Sequence, residues 1–174
     1  MARNVEIKAA VKDLASVAAA VAALSPTEPM HLEQEDTFFH CPHGRLKLRK
    51  LSTAVGQLIH YERPDDAGPR TSEYVVVPTL EPDRLRDLLA SAYGIVGVVR
   101  KRRTVRLVGR TRVHLDTVEG LGTFVELEVV LDDAEPSEPG VVEARRLMTA
   151  LGIGEDQLVP GAYIDVLQAS GIAR

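Results

Sequence analysis

Alternation with period two, with like charges gathered on one face, recurs along this 174-residue chain and restricts its architecture more than any other property. Arg45, Lys47 and Arg49 share one face of a predicted strand whose other face carries Leu46 and Leu48. Tyr61 with Arg63, Lys101 with Arg103, Arg112 with His114 and Asp116, and Phe124 with Glu126 and Glu128 repeat the pattern. Opposite these rows lie Val113 and Leu115, then Val125, Leu127, Val129 and Leu131. An ordinary solvated sheet face mixes charge signs freely, whereas like charges placed side by side repel and need a reason. Curling the strands until the ionised faces meet supplies one. The hollow then holds eight cations, Lys8, Arg45, Lys47, Arg49, Arg63, Lys101, Arg103 and Arg112, together with Glu6, Asp116, Glu126 and Glu128. The apolar faces turn outward and require a cover.

Helical spacing provides that cover. Asp13 is placed to cap a helix carrying Leu14, Val17, Val21 and Leu24, which ends before Pro26. A second helix is expected to begin at Glu81 and Pro82, bury Leu85, Leu88, Leu89 and Ala92, and stop at Gly94. A third is expected over Val141 to Leu151 and a short fourth over Ala162 to Ala169, with 132–140 as a loop. Predicted strands run over Asn4 to Val11, Leu32 to Phe39, Arg45 to Leu51, Gln57 to Arg63, Ser72 to Val77, Val96 to Leu107, Thr111 to Val118 and Thr123 to Leu131. No repeat or linker divides them, so 1–174 reads as one domain.

With 25 acidic against 21 basic residues the net charge is −4, so a cationic site must be local and no global field favours nucleic acid or a lipid surface. Aromatic residues are 4% of the chain and tryptophan is absent, which leaves base stacking poorly supplied and disfavours RNA processing. One cysteine makes no internal disulfide, and no stretch approaches the roughly 20 apolar residues of a membrane span, so a cytoplasmic protein is expected.

Cations confined in a hollow call for a polyanion, and phosphate oxygens match arginine forks best. Carboxylates beside such a phosphate are repelled unless a divalent cation sits between them, and hard oxygen ligands suit Mg2+ or Mn2+. His40, Cys41 and His43 lie close together in HCPHG, but no second ligand pair at zinc spacing accompanies them and a turn is the simpler reading. His114 faces the same way as Arg112 and Asp116, as either a substrate contact or a satisfied polar residue. Arg84, Arg86, Arg145 and Arg146 read as solvated helix charges.

Six blocks carry a resemblance. Asn4 to Lys8 is similar to an ExExK strand in which Asn4 replaces the first Glu; the others are QEDTFF from Gln34, GRLKLR from Gly44, YERPD from Tyr61, RKRR from Arg100, and RVHLDTVEGLGTFVELE from Arg112 to Glu128. On these the chain resembles the CYTH superfamily, the triphosphate tunnel metalloenzymes, and most of all its class IV adenylyl cyclase branch. The resemblance implies an α+β fold built on an eight-stranded antiparallel β-barrel that forms a triphosphate tunnel, with helices packed outside. It implies metal ligands at Glu6, Glu126 and Glu128, holding Mg2+ or Mn2+. It implies phosphate contacts from Lys8, Arg45, Lys47, Arg49, Arg63, Lys101, Arg103 and Arg112, an orienting Asp116, and catalytic roles for Lys8 and Glu126. The implied activity is conversion of ATP to cyclic AMP and pyrophosphate. A tri(poly)phosphatase or thiamine triphosphatase-like hydrolase, or a non-catalytic binder of a phosphorylated metabolite, stands as the alternative. The implied partner is a triphosphate-bearing small molecule, with neither nucleic acid nor membrane, and cyclase relatives imply a homodimer. Asn4 offers an amide oxygen without charge, which weakens the claim on a second divalent ion.

Overall fold

The computed structural model describes residues 1–171, so the last three residues of the expected 1–174 domain lie outside it. Strands β1 (Ala2–Ala10), β2 (Met30–Phe39), β3 (Arg45–Lys50), β4 (Gly56–Glu62), β5 (Arg70–Thr79), β6 (Ile95–Val108), β7 (Thr111–Val118) and β8 (Gly122–Leu131) form a closed antiparallel barrel in the order β1-β5-β4-β3-β2-β6-β7-β8. Closure rests on β1, which pairs with β5 on one side and β8 on the other; Glu6 stands opposite both Arg70 and Glu128, and Lys8 opposite Glu126. A closed barrel leaves every strand paired along its length and fixes which face turns inward.

The outward faces are apolar and covered. Helix α1 (Leu14–Leu24) and helix α3 (Glu138–Ala150) bury Val21, Leu147 and Met148 against Ile7, Val113, Leu115, Val125 and Leu127. Removing each such side chain from water contributes about 1.5–3 kcal/mol. Asp13 caps α1 as expected, its carboxylate accepting from the Ser16 N–H at 2.9 Å. Helix α2 (Pro82–Tyr93) lays Leu89 on Phe39 and Leu48. Helix α4 (Tyr163–Ala169) does something different: its Tyr163, Ile164 and Leu167 pack with Phe38, Val99, Val118 and Phe124, inward-facing residues of four strands, and so close one end of the barrel.

Helix α3 begins three residues earlier than its hydrophobic periodicity indicates, within the stretch expected to be loop. Pro139 is tolerated there because the first helical turn has no N–H to lose, and Gly140 is needed: a Cβ at that position would lie 2.8 Å from Leu131 Cδ2 and 2.9 Å from Val5 Cγ2. Two residues that read as breakers are what let the helix start and dock against β1 and β8.

Candidate functional site

The barrel encloses a cavity of about 240 Å³. Seven basic side chains, Lys8, Lys47, Arg49, Arg63, Lys101, Arg103 and Arg112, and four acidic ones, Glu6, Asp36, Glu126 and Glu128, line it. Positive charge therefore exceeds negative by three in a space walled off from bulk water. The cavity is one-ended. Side chains of Lys8 and Lys101 are 3% exposed and Arg103 4%, close to α4, whereas Arg112 is 35% exposed at the other end, where Tyr74, Val76 and Gln57 form the rim.

Helix α4 and the turn before it furnish the floor. Tyr163 presents its ring to Lys8 Nζ at 4.1 Å and to Lys101 Nζ at 5.1 Å, and its hydroxyl donates to Asp116 Oδ2 at 2.9 Å. The Gly161 carbonyl accepts from Lys8 Nζ at 3.0 Å and Arg63 Nη2 at 2.8 Å. The neutral oxygen orients both cations without compensating their charge, which is met in part by Glu126 beside Lys8 and Glu6 beside Arg63.

The charges form distinct groups. Arg49 grips Asp36 through Nε and Nη2, both at 2.8 Å, while Lys47 Nζ lies 3.1 Å and Lys101 Nζ 3.8 Å from Oδ2. Burial pushes the Asp36 carboxyl up, but Arg49, Lys47 and Lys101 together hold it well below the usual range. Arg103 bonds Asp116 through Nε at 2.7 Å and Nη2 at 2.5 Å and also contacts Glu126, which Lys8 approaches to 3.4 Å. Burial works to raise Glu126, and Arg103 and Lys8 outweigh it, keeping this carboxylate ionised. Burial, then the neighbouring Arg103, brings Lys101 down to about 7 against the opposing pull of Asp36.

A third group lies toward the open end. The ligand atoms of His114, Glu126 and Glu128 all fall within 4.8 Å of one another. Burial and Arg103 lower the His114 pKa, which favours a neutral imidazole with a lone pair to give. Arg112 pairs with Glu128 Oε2 at 3.1 Å and donates to the Tyr74 hydroxyl at 3.1 Å. Asn4, on the cavity wall, carries a buried Oδ1 with no donor among the described residues. The two carboxylates and the imidazole nitrogen fit a divalent cation.

Of the expected site residues, Lys8, Lys47, Arg49, Arg63, Lys101, Arg103, Arg112, Glu6, Glu126 and Glu128 converge on the cavity. Asp116 stands just behind, fully buried between Arg103 and Tyr163. Arg45 is placed elsewhere: it stands opposite Tyr61 at the end of β3, and its Nη2 bonds Asp65 at 2.7 Å and Asp165 at 2.8 Å instead of lining the cavity. Glu6 is held by Arg63 and Arg70 rather than grouped with Glu126 and Glu128. The HCPHG segment is a turn, with Cys41 Sγ donating to the His43 carbonyl.

Sequence reasoning passed over three residues. Arg70 is 5% exposed and shares a face with Ser72, so carrying that strand's alternation back by two residues would have found it. Asp36 shares its face with Gln34 and Phe38, inside a block that was quoted only as a whole. Tyr163 left no local signal, because its role depends on a helix folding back into the barrel end. In a larger depression of about 660 Å³ beside Lys50, Glu35 and Arg100, Arg100 pairs with Glu35 at 2.8 Å.

A closed antiparallel barrel whose interior is a one-ended, cation-rich cavity threaded with carboxylates defines a class of polyanion-binding β-tunnels. The CYTH domain model matches residues 2–163, and the chain belongs to that family. It is 27% identical to adenylate cyclase CyaB of Aeromonas hydrophila over 96% of this chain and 90% of that protein. Its fold is shared with the PH1012 protein of Pyrococcus horikoshii, at a TM-score of 0.82 and 24% identity over 93% of this chain and 98% of that one. It is also shared with HpAC1 of Hippeastrum, described as having a dominant triphosphatase activity, at a TM-score of 0.61 and 18% identity over 98% and 96% of the two chains. The branch resemblance read from the sequence blocks agrees with these matches.

Proposed function

We propose that the chain is a metal-dependent adenylyl cyclase, converting ATP to cyclic AMP and pyrophosphate. The observation that carries the triphosphate reading is the convergence of seven cations on four carboxylates inside one cavity. About 240 Å³ is below the roughly 300–1,000 Å³ of pockets that engulf a whole drug-sized ligand, so the phosphate chain enters and the organic part stays at the rim formed by Tyr74, Val76 and Gln57. The match to CyaB over nearly both full lengths favours the cyclase over hydrolysis.

In this reading Lys8, Lys101, Arg103 and Arg63 hold the deep phosphates that leave as pyrophosphate, each charge-assisted hydrogen bond contributing about 1.5–3 kcal/mol. Lys47 and Arg49 line the wall, kept in position by Asp36, and Arg112 neutralises the phosphate nearest the mouth. Glu126, Glu128 and His114 would hold the divalent ion, with Glu6 steadying Arg63 and Arg70. The ion, when bound, withdraws charge from the phosphoryl oxygens as the ribose 3′-oxygen attacks the α-phosphorus. Lys8 is committed to the Gly161 carbonyl and Glu126, so its geometry supports a clamp rather than a base.

The deciding experiment incubates the protein with ATP and Mg2+ or Mn2+ and resolves cyclic AMP, pyrophosphate, ADP and orthophosphate. Cyclic AMP with equimolar pyrophosphate is expected. Orthophosphate, with faster turnover of tripolyphosphate, would replace the cyclase by a triphosphatase, and tight binding without any product would leave a binder.

Lys101 adds a pH signature. Its ordinary pKa of 10.5 falls to about 7 in the folded protein. The unfolded chain thus binds the extra proton between those two values, and this group favours folding increasingly as pH rises from 7 to 10.5. A bound phosphate draws the pKa back up, so binding above pH 7 takes up a proton and the affinity falls by as much as about tenfold per pH unit. Calorimetry with tripolyphosphate at pH 8, in buffers of different ionisation enthalpy, should register uptake approaching one proton, and Lys101→Met should abolish it. Equal heats in all buffers for the unaltered protein would contradict this account of Lys101.

A further inference from the structure

We propose that His114 is itself a ligand of the divalent ion and that it makes the site selective for a later first-row transition ion, Co2+ or Zn2+, over Mg2+. This rests on the reading that the cavity takes a divalent ion with its phosphates. Strands β7 and β8 put His114 directly opposite Glu126, with Glu128 two residues along β8 on the same face. His114 is 5% exposed, and its Nδ1 is buried without a hydrogen-bond partner among the described residues. It lies 3.7 Å from Glu126 Oε2 and 3.7 Å from Glu128 Oε1.

Those separations are too long for hydrogen bonds. Bonds of about 2.0–2.2 Å arranged tetrahedrally around one ion set their donor atoms roughly 3.4 Å apart, so a small contraction brings all three onto a shared centre. A buried nitrogen left unpaired is costly, and an ion would satisfy it. The carboxylates are held in readiness: Arg112 takes Glu128 Oε2 and leaves Oε1 toward the imidazole, while Lys8 takes Glu126 Oε1 and Arg103 shares Oε2.

The selectivity follows from the donor count. Mg2+ demands near-octahedral oxygen and is indifferent to imidazole, whereas imidazole suits the later ions of the first transition row. An imidazole nitrogen standing where an oxygen would otherwise sit moves the preference of the site away from Mg2+.

The test titrates the substrate-free protein with Mg2+, Mn2+ and Co2+ by calorimetry, and records pulsed electron paramagnetic resonance of the Mn2+ form. Expected are Co2+ affinity at least about tenfold above that for Mg2+ and a coupled imidazole nitrogen in the Mn2+ spectrum. His114→Asn should lower the Co2+ affinity about 10–100-fold, leave Mg2+ binding nearly unchanged and erase the nitrogen coupling. Bound Mn2+ without nitrogen coupling in the unaltered protein would overturn the assignment whether or not the variant folds. An unchanged Co2+ to Mg2+ ratio in a folded variant would do the same. Failure of every ion to bind, with tripolyphosphate present as well as absent, would instead sink the metal reading on which this inference rests.

Discussion

Arg103→Met is expected to lower the unfolding free energy by about 3–5 kcal/mol and to abolish triphosphate binding together. Arg103 is buried, makes a two-pronged bond to Asp116 and also holds Glu126. Methionine leaves a fully buried Asp116 carboxylate with the Tyr163 hydroxyl and the neighbouring Lys101 as its remaining support. Losing one partner of a buried ion pair is costly because the other charge stays behind, unlike a surface pair worth under about 1 kcal/mol. Urea unfolding reads the first effect and calorimetry with tripolyphosphate the second. The double variant Arg103→Met with Asp116→Asn should recover much of the stability and none of the binding, since it removes the stranded charge without restoring the guanidinium. A stable single variant that still bound tripolyphosphate would show that Arg103 is peripheral.

Glu126→Gln should reduce metal-supported turnover by about 100-fold or more, beyond the loss typical of residues that merely orient a ligand. The same change should strengthen metal-free binding of tripolyphosphate. Glu126 stands among Lys8, Arg103 and His114, so replacing it by a neutral amide raises the positive excess that a bare phosphate chain meets while removing an oxygen that a cation needs. Opposite signs for the two measurements separate a metal ligand from a residue that only props up the fold, which would weaken both. Equal kinetics with and without the substitution would remove Glu126 from the site.

The barrel was legible because its period is two and its charges are sorted. Arg45, Lys47 and Arg49 on one row, and Glu126 with Glu128 on another, are unstable as an exposed pattern and sensible as an interior one. Inward-facing positions on β1, β3, β6, β7 and β8 were thereby identified, and most of them meet in the cavity. Arg45 shows where alternation stops being sufficient: it keeps the parity of Lys47 and Arg49, but at the end of β3 the carboxylates of Asp65 and Asp165 draw it aside. Glu6 likewise has the right parity, and the two guanidiniums of Arg63 and Arg70 decide its partner.

Residue order alone therefore determined the strands, their inward rows, the covering helices and the surplus of positive charge, because side-chain parity along a strand and apolar spacing along a helix are local properties. Only the tertiary structure decided that one end is shut by Tyr163, that the Gly161 carbonyl holds Lys8 and Arg63, that Asp36 gathers three cations, and that His114 meets two carboxylates. Those are meetings between segments far apart in the chain, set by barrel closure and the tilt of its strands, and no local pattern encodes the distance between them.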